Sequence, residues 1–556
     1  MKSRNLLTAG ASVFALAGLL LAAADASAHP IYVPFRPGHT PPNPNAPTVH
    51  VGAVERPYVA PATRSGKWTD LKSNPFTGDS NGEGGWGPLL LTDGTVMMKQ
   101  AFTGSAGVWF RLTPNKKGSY VSGKWKQIAA MPAGYSPDFN AQQVLPDGRV
   151  LIEGGEYNDQ CSGGCWTNKG ALYDPVKDAW TSVNPPTGWS QIGDAESVIL
   201  PDGTYMLASC CERTTGQYAL ASISGTTVTW KTSNGFTCPS GEPCFDEDGF
   251  TSLPDGDVFL VDVWNHTSNS DNYYIYDTAK NSWSLGGTTP DYLSTTSTFE
   301  LGATPLTPQS GKQGTIIQLT GTGKPGISDV YDVASGKWTS GPTVKVGSTI
   351  YFFADAPAAV LPDGNVFVAA SPGYGNVTPE HFWEMNVSKT GAVTATQVSD
   401  NASASTSNSF TNNMLLLPTG QVLWDDSQFS TEVAVYTPKG GPKAKWLPVV
   451  SSVSSTLTAG SKGNAISGTN FNGFSLGGYY GDDAQAATNY PIVRITNNST
   501  SDVCYARSYN FSTMGVWTSG TTNATFDIPK SCETGASTLQ VIVNGIASTG
   551  TAVTLS

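Results

Sequence analysis

The stretch "CFDEDGFTSLPDGDVFLVD", Cys244 to Asp262, sets Asp246, Glu247 and Asp248 in a row directly ahead of an apolar strand. Carboxylates beside a core are costly unless something answers them. Their distance from the turn glycine Gly256 recurs elsewhere in the chain. Nine residues before such a glycine stand Asp194, Glu247 and Asp355, while Phe139, flanked by Asp138, holds the matching place before Gly148. Glu300 lies comparably in a degenerate copy. Acids gathered at one opening could act as general acid and base on a glycosidic bond. Crowding raises their proton affinity, as an acid catalyst needs. Asp246 and Asp248, with an acid from a neighbouring repeat, could instead hold Ca²⁺. Taken singly, each acid also reads as a solvated rim charge or an anchor between repeats.

Those acids need a repeating frame. The turn "LTDG" ends at Gly94, "LPDG" at Gly148, Gly203, Gly256 and Gly364, "LPTG" at Gly420, and a degenerate "LTPQSGKQG" at Gly314. The intervals of 54, 55, 53, 58, 50 and 56 residues mark a repeat architecture. Each turn joins two apolar strands. A variable loop follows, then a third strand such as "ALYDP" and a fourth carrying Trp125, Trp180, Trp230, Trp283 or Trp338. Four antiparallel strands in seven copies predict an all-β, seven-bladed β-propeller over 65–445. "SGKWTDL" at Ser65–Leu71 is a fourth strand ahead of the first repeat and is expected to close the ring, removing free sheet edges. An open solenoid is the rival that this strand argues against. After Trp446, alternating segments predict a second, immunoglobulin-like β-sandwich over 446–556.

In such a ring the first strand of each blade lines the channel, so the acids share one mouth. The loops between second and third strands open on the same face. They offer Tyr157, Trp166, Trp264 and Tyr374 as stacking aromatics for sugar, with His266 among them. The eight cysteines fall in local sets, Cys161 with Cys165, Cys210 with Cys211, Cys238 with Cys244, and Cys504 with Cys532. Local disulfides are the simplest pairing, and zinc is the alternative.

The N-terminus reads as a secretory signal: "MKSR", then "VFALAGLLLAAA", then "ASA" ending at Ala28. A Pro-rich linker follows over 29–64. Export to the periplasm or outside the cell is therefore expected, as a monomer. The net charge of −12 argues against nucleic acid and anionic membranes as partners.

The layout resembles the galactose oxidase and glyoxal oxidase family, secreted kelch propellers followed by an immunoglobulin-like domain. "SFTNNMLLLPTGQVLWDD" and "VAVYTP" resemble that family's last blade, and "ARSYN" stands where it sends a copper-ligating loop into the propeller centre. The resemblance implies a copper ion and a tyrosyl radical. Residue by residue, the ligand positions carry other side chains here: Phe410 and Thr411 for Tyr-His, Asp194 for the cross-linked Tyr, Phe139 for its Cys, and Arg507, with Tyr509 close by, for the last His. A cupric site without imidazoles is not expected, so copper radical oxidation is the weakest of the readings.

Two readings follow. One is a carbohydrate-active enzyme, a hydrolase or a lyase, using Asp194, Glu247, Glu300 and Asp355 on a polysaccharide or oligosaccharide. In the lyase version Arg507 neutralises a uronate and Tyr509 or His266 serves as base. The other is a non-catalytic glycan-binding or cell-surface scaffold protein, since fold does not fix function. Beyond a Ca²⁺ ion, no cofactor is expected.

Overall fold

The structure, a computed structural model, describes residues 66–556 apart from 79–81, 104–106, 159–165, 211–212, 267–268, 294–300, 311, 322–327, 374 and 478–486. The expected signal and linker, Cys161, Cys165, Cys211, Glu300 and Tyr374 lie outside the described residues. The described chain is all-β, with two short 3-10 helices, Ser409–Thr411 and Ala444–Trp446.

Seven four-stranded antiparallel sheets follow one another. The third, for example, runs Ser197–Ile199, Tyr205–Ser209, Thr215–Ser224 and Thr227–Thr237. The seventh is completed from the N-terminal side: Lys67–Asp70 pairs with Val433–Thr437, Trp68 opposite Tyr436. The ring is thus closed by hydrogen bonds between distant ends of the chain, and the propeller has seven blades.

The repeat's residue choices each have a local cause. In five blades the turn aspartate accepts the backbone N–H two residues on, as Asp202 does from Thr204 (2.9 Å) and Asp363 from Asn365 (2.9 Å). The turn glycines, Gly94 to Gly420, have φ between 73° and 94°, a left-handed turn that a side chain would strain. On the outer strands Trp faces Tyr across the sheet: Trp180 opposite Tyr173, Trp283 opposite Tyr276, Trp338 opposite Tyr331. Their rings lie 4.7, 5.5 and 5.1 Å apart. The indole N–H groups of Trp68, Trp125, Trp180 and Trp230 donate to Ser399, Ser73, Ala129 and Asn184, each on the connection entering that tryptophan's own blade. One side chain therefore holds the sheet and its incoming link together.

Val449 to Leu555 form a further all-β unit whose strands are joined by pairing into one sheet. It docks on the end of the propeller where the hairpin turns lie. Met514 N–H donates to Pro201 O (3.0 Å), Ser508 N–H to Thr92 O (3.2 Å), and Tyr490 hydroxyl to Leu90 O. Leu476 bridges to Leu306 on the channel strand of blade five.

Candidate functional site

The mouth opposite the turns is built by blades two, three and four. Thr167 O, on the blade-two loop, accepts the N–H groups of Ile192 (3.0 Å) and Gly193 (3.2 Å). Cys210 N–H then donates to Ile192 O (3.1 Å), and Gln191 Nε2 to Cys210 O (3.1 Å). Gly193 has φ 70°, and a Cβ there would stand 3.2 Å from Cys210 Cβ and 3.7 Å from the Trp166 ring. A side chain at 193 would push these apart, so glycine lets Asp194, Cys210 and Trp166 converge.

Blade four brings the opposing group. Carboxylate oxygens of Asp194 and Asp246 and Cys210 Sγ lie within 4.8 Å of one another, all three residues buried. Asp246 Oδ1 is 3.4 Å from Cys210 Sγ. The carbonyl of Asp246 accepts the indole N–H of Trp264 at 3.0 Å. The blade-four acid found with Asp194 is Asp246, next to Glu247, which the sequence also placed at this mouth. The reason is backbone. Phe245 and Glu247 both have left-handed φ, 52° and 61°, so the direction of successive side chains is not the simple alternation of a strand. Phe139 and Asp355 in blades two and six share this conformation, with φ 52° and 48°. Such values are rare for residues with a Cβ and cluster where a scaffold fixes a site.

Asp248, which the sequence offered with Asp246 as a cation ligand, lies inward of the rim. It is fully buried, and its Oδ1 accepts the N–H of Val263 (3.2 Å). Burial, then the nearby Asp262, Glu196 and Asp246, push its carboxyl well above the usual range. Asp262 lies beside it and accepts the N–H groups of Trp264 (3.1 Å) and Asn265 (3.0 Å). Burial first, partly offset by those amides, pushes Asp262 up to about 7. These acids hold the loop that carries Trp264 and His266.

The aromatic expectations divide. Trp166 is half-buried beside the acids. Trp264 is buried and used as an anchor, so it is not a stacking platform. Tyr157 is also buried, packed on Phe139 at 5.7 Å. His266 is half-buried, its Nδ1 3.0 Å from Val263 O and its ring 5.0 Å from Tyr292. Asp355 is buried, its N–H on Leu301 O (2.7 Å).

Arg507 and Tyr509 require a correction. Arg507 Nη2 donates to Asp147 O, in the hairpin turn of blade two, and its guanidinium lies 4.6 Å from the Tyr509 ring. Tyr509 hydroxyl donates to Asp527 Oδ1 (2.9 Å). Both are at the turn end of the propeller, away from the acids, because they sit on Val503–Tyr509, a strand paired into the C-terminal sheet rather than a free loop.

The copper ligand set does not fit this mouth. Phe139 packs on Trp86 at 4.5 Å, and Thr411 Oγ1 donates to Asp426 Oδ1 (2.8 Å). His381 Nδ1 contacts Asp400 (2.8 Å) in blade six. Cys210 is disulfide-bonded, with a partner outside the described residues, so it supplies no thiolate. Two further disulfides, Cys238–Cys244 and Cys504–Cys532, pair as the spacing suggested. Among the described residues, no helix is long and apolar enough to cross a membrane.

Comparison with known proteins gives one related sequence, the Kelch-like protein terF of Aspergillus terreus, 32% identical over 92 residues. That match covers 16% of this chain, which thus spans about a fifth (19%) of its relative's length. No family model matches. Among solved structures, a fungal alcohol oxidase of the AA5 family in complex with copper is similar over 89% of this chain and 99% of its own, at 13% identity and a TM-score of 0.49. The periplasmic gluconolactonase PpgL of Pseudomonas aeruginosa is similar over 62% of this chain and 99% of its own, at 10% identity and a TM-score of 0.36. The SapL1 lectin, in complex with alpha methyl fucoside, is similar over 57% and 95%, at 15% identity and a TM-score of 0.33. The chain resembles the kelch-type, galactose-oxidase-like propellers.

Proposed function

We propose that this protein is an exported glycoside hydrolase whose reacting groups are Asp194 and Asp246. The observation that carries the reading is their approach from different blades to within 4.8 Å at one mouth, with Trp166 beside them. A carboxyl pair on the order of 5 Å apart suits retention of configuration, where one acid attacks the anomeric carbon and the other protonates the leaving oxygen. Inversion needs a wider gap that admits water. The lyase version loses its support, since Arg507 stands at the other end of the propeller. Glu247 (7% exposed) and Asp355 (4% exposed) are the further acids of blades four and six that this reading leaves in reserve. The reading takes 446–556 as a second, immunoglobulin-like domain that fixes the turn end. The disulfides favour an oxidising compartment. The test is reducing-sugar release from neutral and acidic polysaccharides by wild type, Asp194→Asn and Asp246→Asn. Release by wild type that both variants lose supports the pair; release that survives both substitutions removes it.

A further inference from the structure

A second place on the mouth side of the propeller has the makings of a ligand site. The hairpin of blade three is long, Thr215–Ser224 against Thr227–Thr237, and its upper end stands beside the connection that enters that blade. An open groove runs there between Thr187, Trp189, Gln217, Thr232 and Asn234. Gln217 is the direct register partner of Asn234, and Ala219 of Thr232. Gln217, Thr232 and Asn234 therefore project from one face of the sheet. Among the described residues, no charged side chain lines the groove.

Trp189 forms its inner wall. The residue is 6% exposed, and its buried indole N–H has no acceptor among the described residues. A buried donor without an acceptor is unfavourable, and a ligand oxygen would relieve that cost. Its backbone is held firmly, with its N–H on Pro186 O (3.1 Å) and its carbonyl accepting from Asn168 Nδ2 (3.0 Å). The same segment continues from Trp189 through Ile192 and Gly193 to Asp194, so the groove and the acid pair share one rigid piece of chain.

We infer that this groove is an accessory subsite for a neutral glycan chain whose other end reaches the mouth. Amide and hydroxyl groups both donate and accept, as sugar hydroxyls do. The Trp189 indole offers an N–H to a sugar oxygen, and the lack of charge on the described lining disfavours uronates. The inference rests on the glycan reading of the mouth but concerns binding and not turnover.

The test is affinity electrophoresis of the full chain in gels containing galactomannan, xyloglucan or polygalacturonate. Wild type should be retarded by at least one neutral polymer. Gln217→Ala with Asn234→Ala, at the upper end of the hairpin, should weaken that retardation at least about fivefold for two lost neutral hydrogen bonds, with an unchanged melting temperature as the folding control. Trp189→Phe, which removes the N–H together with part of the ring, should weaken it less but in the same direction, with its melting temperature checked in the same way. Equal retardation of the double variant, no retardation by any neutral polymer, or a preference for polygalacturonate lost on these substitutions would each overturn the groove. The two readings fail separately. Protein retained through Gln217 and Asn234 that releases no sugar from any polymer keeps the groove and sinks the mouth as a catalyst.

Discussion

Trp264 and Asp246 are tied by a hydrogen bond from the indole Nε1 to the backbone carbonyl at 3.0 Å. The bond runs from the second strand of blade four back to the segment entering its first, across the floor of the mouth. It makes an aromatic that the sequence offered as a sugar platform into a strut on the residue whose carboxylate stands with Asp194.

Trp264→Phe should therefore act through stability and turnover together. It leaves the Asp246 carbonyl buried without its donor, at about 1–3 kcal/mol. We expect a lowered melting temperature and a fall in kcat with little change in KM. A raised KM at unchanged melting temperature would mean that Trp264 touches sugar after all.

For the pair itself, Asp194→Asn and Asp246→Asn should each lower kcat by about 10²–10⁴-fold, the range for a lost acid or base. The double variant should fall little further, because the two act as a unit. NMR of the first-formed product should show the substrate's anomeric configuration retained. An inverted product would mean that a wider pair, such as one including Glu247 or Asp355, does the chemistry.

The frame was legible because it repeats. A turn glycine at steady intervals and a Trp on each outer strand sufficed for seven blades and for ring closure by Lys67–Asp70. That acids share one mouth was also readable, since a channel strand has only two ends. Which acid meets which was not. Left-handed φ at Phe245 and Glu247 breaks strand alternation, and periodicity cannot foresee it. The placement of Arg507 failed for a different reason. The resemblance assigned it to a loop, while local alternation in "VCYARSY" already spelled a strand. One signal was passed over. Lys99, Glu153 and Asp425 each stand five residues after the turn glycines Gly94, Gly148 and Gly420, and Asp262 six after Gly256. All four are fully buried at the mouth ends of second strands.

Lys99 gives the sharpest stability test. Its Nζ is 2.7 Å from Asp138 Oδ1, both side chains buried. Burial pulls the lysine down and pushes the aspartate up, each against the pull of its partner. Desolvation thus outweighs pairing on both sides, and the ion pair is a poor source of stability. Removing one partner is still costly. Lys99→Met should cost about 3–5 kcal/mol in urea unfolding, because Asp138 is left buried and unpaired. Adding Asp138→Asn should recover most of that, since Asn keeps an acceptor for the N–H of Phe102, which now donates to the Asp138 carboxylate at 3.2 Å. A double variant no more stable than Lys99→Met would show that the pair itself, and not the stranded charge, holds blades one and two together.

Asp262 yields a prediction in pH. Burial, with the Asp246 charge adding to it and the amides of Asn265 and Trp264 opposing it, raises the carboxyl to about 7. The unfolded value is about 3.9. The folded state therefore binds more protons than the unfolded chain between those values, and stability falls as pH rises through that window. The contribution is fully present below about pH 4 and is lost above about pH 7. Asp262→Asn cannot ionise, yet its side-chain oxygen still accepts from Trp264 and Asn265. Its new amide N–H replaces Oδ2, which has no partner among the described residues, and faces the carboxylates of Asp248 and Asp246. The variant should show a flatter melting curve against pH from 4 to 7 and should melt higher than wild type at pH 8 by at least about 2 °C, the shift for roughly 1 kcal/mol. Asp248, also raised by burial, leaves a residual slope that Asp248→Asn should remove in the same background. If Asp262→Asn instead runs parallel to wild type from pH 4 to 8, Asp262 is charged throughout, and the cluster under the mouth must hold a cation that neutralises it. Inductively coupled plasma analysis of the dialysed protein would then identify that ion.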